Sequence, residues 1–120
     1  MVVLNSLSFC LSVRDHKAAR VRTAWETNDI WIRRAFDFDG DAPAFKKLGF
    51  NIFYDEDTEI YLNGVKIAEF HNYNVNYDNL DAMPDALKAL KKGRNVVAVH
   101  TKNTTGGAYI DLSIIGINYK

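Results

Sequence analysis

Between residues 48 and 64, apolar and polar positions alternate almost without a break. Leu48, Phe50, Ile52 and Tyr54 share one parity, with Gly49, Asn51 and Phe53 on the other. After Asp55-Glu56-Asp57, Ile60 and Leu62 alternate with Glu59, Tyr61 and Asn63. A period of two marks strands with one buried face. The second run ends in Asn63-Gly64, a pair that accepts positive φ at both centres of a type I′ hairpin turn. The pattern predicts a β-meander: a strand, an acidic hairpin tip, a second strand, and a third from Val65 to Phe70 that folds straight back.

The rest of the chain follows the same rule. Leu7, Phe9, Leu11 and Val13 alternate with Ser8, Cys10, Ser12 and Arg14, which predicts a strand within Val3 to Val13. That stretch lacks the positive start of a signal peptide, and Ser6, Ser8 and Ser12 break its apolar run. Residues 15–24 are polar and basic, either a short helical turn capped by Asp15 or a surface connector. Ile30, Ile32 and Phe36 share a parity and predict a strand from Ile30 to Asp37. Arg34 then falls on the apolar side, where it needs a buried acceptor or a sheet edge. Residues 37–46, with Gly40 and Pro43, read as a loop.

Residues 71–80 carry four asparagines and two tyrosines and read as one long loop of the kind that bears function. Pro84 to Lys92 predicts a helix, with an apolar stripe of Ala86, Leu87 and Leu90. Lys91 and Lys92 would complement its C-terminal dipole, and Gly93 would cap it. Asn95 to His100 is a valine-rich strand, 102–107 a turn, and Tyr109 to Ile117 the last strand. Short strands separated by turn signals indicate a two-sheet antiparallel sandwich.

Composition narrows the function classes. The chain has 120 residues, enough for one domain with a real core. Fifteen basic residues balance fifteen acidic ones, so no basic surface argues for a nucleic-acid or anionic-membrane partner. The single cysteine, Cys10, forms no intramolecular disulfide, and no segment is long enough to span a bilayer as a helix.

Three motifs carry a resemblance. Asp29-Ile-Trp-Ile-Arg-Arg-Ala-Phe36 resembles a W-x-R-R-x-F strand. Glu59-Ile-Tyr-Leu-Asn-Gly64 resembles a hairpin ending in L-N-G. Leu90-Lys-Lys-Gly-Arg-Asn-Val-Val-Ala-Val-His100 resembles an L-x-x-G-x-N-x-[LV]-A-V strand. In that order they look like the galactose-binding-like domain of β-galactosidase and β-glucuronidase-type glycoside hydrolases. The resemblance implies an all-β, galactose-binding-like jelly-roll β-sandwich with one short helix, over residues 25–120. Residues 1–24 supply an N-terminal strand and connector, shorter than the front section usual in that group. It also implies a non-catalytic carbohydrate-binding or accessory domain associated with a glycoside hydrolase. Its partners would be a carbohydrate and a catalytic glycosidase domain. The alternative is a structural or protein–protein interaction sandwich with no sugar ligand.

The chemistry-bearing residues fit a binding role better than catalysis. Asp55, Glu56 and Asp57 invite comparison with a structural calcium site. Without a glycine to bend ligands inward they read instead as a solvated hairpin tip, and no cofactor is expected. Asp29, Glu59 and Asp111 are not paired by spacing as a glycosidase would require. Asp111 is expected to pair with Arg33 or Arg34. His16, His71 and His100 form no metal triad, and His100 reads as a core or rim histidine. Sugars present an apolar face and a hydroxylated rim, which suits an aromatic ring beside amides. Trp25, His71, Asn72, Tyr73, Asn76 and Tyr77 have that composition and are the candidate ligand-binding residues.

Overall fold

The computed structural model describes residues 2–5, 11–12, 23–24, 29–39, 45–102 and 109–117. They form an all-β sandwich of two sheets with one short helix. The strands are β1 (Val2–Asn5), β2 (Leu11–Ser12), β3 (Thr23–Ala24), β4 (Asp29–Phe38), β5 (Lys47–Asp55), β6 (Asp57–Leu62), β7 (Val65–Phe70), β8 (Asp78–Asp81), β9 (Gly93–Lys102) and β10 (Tyr109–Ile117). The helix α1 (Ala86–Ala89) lies between β8 and β9. The first sheet runs β3-β2-β10-β5-β8, with β1 also beside β10, and the second runs β4-β9-β6-β7. All pairings are antiparallel except the two-residue pair β2–β3.

Of the expected N-terminal strand, the described residues Val2–Asn5 and Leu11–Ser12 run antiparallel to β10. Val3 sits opposite Ile115, and Leu11 opposite Ile110. The expected helical turn or connector at 15–24 falls outside the described residues, apart from the backbone of β3. The turn expected at 102–107 is described only at Lys102, and the loop at 37–46 only at its ends.

Period-two patterning works because each strand offers its apolar parity to the space between the sheets. Phe50 and Ile52 of β5, Ile60 and Leu62 of β6, Val97 and Val99 of β9, and Ile110 and Ile114 of β10 are all fully buried there. Phe36 and Phe38 of β4 close one end of this core. Arg34 is exposed, since β4 is an edge strand, the second of the two solutions the sequence allows. Between Ile60 and Tyr61 of β6 the register to β7 slips by one residue, and Ile67 and Ala68 of β7 are both buried. Such a bulge places two successive residues against one on the partner strand.

The meander is half correct. β6 and β7 form the hairpin, with φ of 51° at Asn63 and 84° at Gly64, as a type I′ turn requires. β5 and β6 do not pair with each other. β5 lies between β10 and β8, and β6 between β9 and β7. Asp55-Glu56-Asp57 is therefore a crossover between sheets and not a solvated hairpin tip. Asp55 is half-buried, forms a bridge with Tyr73, and its carboxyl is pushed up to about 6 by burial and by neighbouring Glu56.

The helix is also shorter than the sequence indicates. It ends at Ala89 because Leu90 turns extended, at φ −75° and ψ 128°, and buries its side chain. Lys88, not Lys91 or Lys92, stands in its last turn. The following backbone is captured by Asn95, which is fully buried. Its carbonyl accepts from the Lys91 amide at 2.9 Å, and its amide donates to the carbonyls of Lys91 and Gly93 at 2.8 and 3.0 Å. Asn63 completes the network. Its amide donates to the Ala89 carbonyl and to Asn95 Oδ1, and its carbonyl accepts from the Val96 amide. Asn63 and Asn95 are thus structural, as their turn and strand-entry positions suggest, whereas Gly93, at φ 91°, opens β9 and does not cap the helix, whose C-cap is Leu90.

Candidate functional site

The loop expected to carry the ligand residues is divided by the fold. Its C-terminal part is strand β8, which pairs with β5 through Asn79 opposite Asn51 and Leu80 opposite Phe50. Asn74 is a structural clamp. Its side chain accepts from the Tyr54 amide, and donates to the Ile52 carbonyl and the Asp78 carboxylate. Tyr77 lies against the outer side of the first sheet, edge-on to Phe53, with its hydroxyl donating to Asp111. Asp111 thus serves as the acceptor for Tyr77 on that face.

His71, Asn72 and Tyr73 are near the edge of the second sheet. Asn72 adopts a left-handed φ of 65°, and its amide donates to Asp57 at 3.0 Å. His71 is exposed, 3.6 Å from Asp57 and 3.9 Å from Glu69. Tyr73 is 62% exposed, and Asn76 is exposed. Trp25 and His16 lie outside the described residues. The six residues are therefore not all on one surface: Tyr77 belongs to the first sheet, and His71 and Asn72 adjoin the second.

A different surface emerges from strand register. On the outer face of the second sheet, Trp31 of β4 pairs with His100 of β9, which pairs with Glu59 of β6. In the next row, Arg33 pairs with Ala98, and Ala98 with Tyr61. Ala98 and Val96 are small, so the face sinks between the larger side chains of β4 and β6. The result is a trough of about 820 Å³, floored by Val96 and Ala98 and walled by Trp31, Arg33 and Tyr61. The Asn63-Gly64 turn and Lys91 also line it. Trp31 is 60% exposed, a large apolar ring left open to solvent.

The ring is nonetheless positioned. Trp31 stacks on His100 at 4.2 Å with planes 4° apart, and Tyr61 is tilted beside it at 6.1 Å. His100 is held from both sides, by Asp29 at 3.1 Å and Glu59 at 3.4 Å. It is the rim histidine the sequence suggested. Glu59 accepts from the Tyr61 hydroxyl at 2.8 Å and pairs with Lys66 at 3.0 Å. These bonds, with that from His100, hold its carboxyl down at about 2. The same bond raises the Tyr61 hydroxyl, and Glu69 and Glu59 together raise Lys66. Glu59 is thus an ionised acceptor at any ordinary pH, unsuited to donate a proton to a leaving group.

A smaller depression of about 150 Å³ adjoins the His100 side of this face, lined in part by Asp57, Glu59, Glu69 and His71. Among the described residues, no group of three or more His, Cys, Asp or Glu side chains has a metal-holding arrangement. Sequence reasoning missed the trough, although a signal was present. Trp31, Tyr61 and His100 all occupy the outward parity of their strands, where large rings have no core to fill.

With this geometry in view, comparison with known proteins places the fold. No protein-family model matches the chain, and no curated protein sequence does. Solved structures do. The chain shares its fold with a short segment of several glycosidases. An α-L-rhamnosidase from Streptomyces avermitilis, solved with L-rhamnose, is 20% identical over 72% of this chain and 8% of its own, with a TM-score of 0.52. A glycosyl hydrolase family 2 member from Bacteroides cellulosilyticus is 20% identical over 74% of this chain and 12% of its own, with a TM-score of 0.54. A structure of a family 2 member from strain DSM 14838 of that species gives 21%, 74%, 13% and 0.50. The chain spans about a tenth of the length of these proteins.

Proposed function

We propose that this chain is a non-catalytic, galactose-binding-like accessory domain that binds carbohydrate and works beside a glycoside-hydrolase catalytic domain. The observation that carries the reading is the trough on the second sheet. It sets an exposed indole and a phenol over a small-residue floor, with polar side chains at the rim. A pyranose has an apolar face that an aromatic ring covers and a hydroxyl rim that polar groups satisfy. The size relation to the matched glycosidases supports a module within a larger enzyme. The state of Glu59 supports a binding role over acid catalysis.

The sugar contacts are assigned to Trp31 and Tyr61 as ring platforms, with Arg33 and Lys91 as hydrogen-bond donors. His71, which lines the adjoining depression, and with it Asn72, Tyr73 and Asn76, are assigned as a second contact region for a longer glycan. An isolated module of this kind binds in the millimolar to micromolar range, about 4–8 kcal/mol. The test is an NMR titration of the ¹⁵N-labelled domain with galactosides, glucosides and rhamnosides. Shift changes centred on Val96, Ala98 and the Trp31 indole, lost in Trp31→Ala, are expected. Absence of binding to any sugar would shift the assignment to a structural or protein-interaction sandwich.

A further inference from the structure

The charged side chains on the outer face of the second sheet differ in whether they are paired. The trough is lined, among the described residues, by two cations, Arg33 and Lys91, and by no carboxylate. Among the described residues, neither cation has a carboxylate partner. Acidic side chains gather instead in the adjoining depression, where Asp57, Glu59 and Glu69 face Lys102 and His71. Two acids approach the trough from the Trp31 end and both are engaged: Glu59 accepts from the Tyr61 hydroxyl and pairs with Lys66, and Asp29 is held by His100. The chain carries no net charge, so the pair of cations in the trough is a local feature and not a reflection of a basic protein.

We infer that the trough recognises an acidic sugar, a pyranose bearing a carboxylate such as a uronic acid residue. The inference rests on the carbohydrate-binding reading above and names the ligand class of that same site. Arg33 lies one residue pair along β4 from Trp31, on the same face, so the guanidinium and the indole address one ligand. In a uronic acid the carboxylate projects from the ring periphery while the ring faces keep their C–H surface. Stacking on Trp31 and a charge-assisted contact to Arg33 are therefore compatible. The planar guanidinium fork matches a carboxylate with two parallel hydrogen bonds. Lys91, at the turn-closed end, supplies a second positive charge for a ring hydroxyl or a further carboxylate. A trough of about 820 Å³ is at the upper end of the range for small-ligand sites and fits a short acidic oligosaccharide.

The experiment titrates the labelled domain with methyl β-D-glucuronide and methyl α-D-galacturonide, each against its neutral glucoside or galactoside. Titrations are run at low and at physiological salt. The uronides should bind roughly tenfold more tightly than their neutral partners, consistent with one charge-assisted contact, and should weaken as salt rises. Arg33→Gln should abolish the preference, bringing the ratio of uronide to neutral-glycoside affinity down to about one. Lys91→Gln should reduce the preference in part. Both side chains are on the surface, and unchanged thermal unfolding would confirm that each variant is folded. Equal binding of uronide and neutral glycoside, both lost in Trp31→Ala, would overturn the charge inference while the carbohydrate-binding reading stands. Uronide binding that maps to the His71–Asn76 region and ignores Arg33→Gln would also overturn it. No binding of any sugar would remove both.

Discussion

Replacing Asn95 tests the link between fold and site. The side chain is fully buried, and its amide group makes four hydrogen bonds: to the Lys91 amide, the Asn63 amide, and the carbonyls of Lys91 and Gly93. A typical intramolecular hydrogen bond contributes about 0.5–1.5 kcal/mol net, and a buried group left unsatisfied costs about 1–3 kcal/mol. Lys91 and Gly93 are exposed, so their backbone groups recover water, and Asn63 keeps the Ala89 carbonyl. The lower end of each range therefore applies. Asn95→Ala should cost about 2–4 kcal/mol, read from urea unfolding followed by tryptophan fluorescence with an unchanged m-value. Asn95→Asp tests the geometry further. It places an oxygen against the two carbonyls that now accept from the amide, so its carboxyl pKa should rise on folding. Its deficit should be largest at neutral pH and shrink as acid protonates it, because the native state then binds the extra proton. Asn95→Ala within about 0.5 kcal/mol of wild type would refute the network as a structural anchor.

Gly64→Val puts a β-branched residue at a φ of 84°, and should cost about 1–2 kcal/mol in thermal or urea unfolding despite the open space around that position. Gly49→Ala should also destabilise, by about 1–3 kcal/mol, since the new methyl group would sit 2.9 Å from the Leu80 carbonyl oxygen. Asp55 is pushed up to about 6 from 3.8, so its penalty is absent in acid and grows as pH rises through that window. Asp55→Asn should therefore be more stable than wild type at pH 7 and lose that advantage near pH 4, measured by unfolding at both pH values. The purified domain should show no hydrolysis of aryl glycosides between about pH 4 and 8. Turnover abolished by Asp29→Ala, Glu59→Ala or Asp111→Ala would overturn the non-catalytic assignment.

Parity along each strand was legible because burial acts residue by residue. Phe50, Ile52, Ile60 and Leu62 could be assigned to a core without knowing their partners. Partner choice was not legible in the same way. An acidic triplet between two strands looks the same whether the chain turns back or crosses to another sheet. Here β9 and β10, at the far end of the sequence, decide the matter by pairing with β6 and β5 respectively. The helix boundary depended on Asn95, whose bonds to the Lys91 backbone override the helical preference of the segment. The candidate site failed to appear for a related reason. Trp31, Tyr61 and His100 are separated by tens of residues, and only the β4–β9–β6 register brings them onto one patch.

The two outer faces differ in how far their side chains are already engaged, which is why the proposed ligand surface is on the second sheet. On the first sheet, several of the described outward residues are already covered or paired. Phe53, Asp111 and Ile115 are buried, Tyr77 packs over the first two, and Asn51 donates to Asn79. A ligand there would have to displace contacts the protein makes with itself. On the second sheet Trp31 is open, Arg33 and Lys91 have no acidic partner among the described residues, and the floor is no larger than valine. The side chains that position Trp31 are themselves fixed, with His100 between Asp29 and Glu59 and Glu59 between Tyr61 and Lys66. The turn end is fixed as well, by the amide network of Asn63 and Asn95. A surface with rigid supports and unsatisfied charges loses little side-chain freedom on binding and gains new contacts, which is the physical condition for recognition by a preformed site.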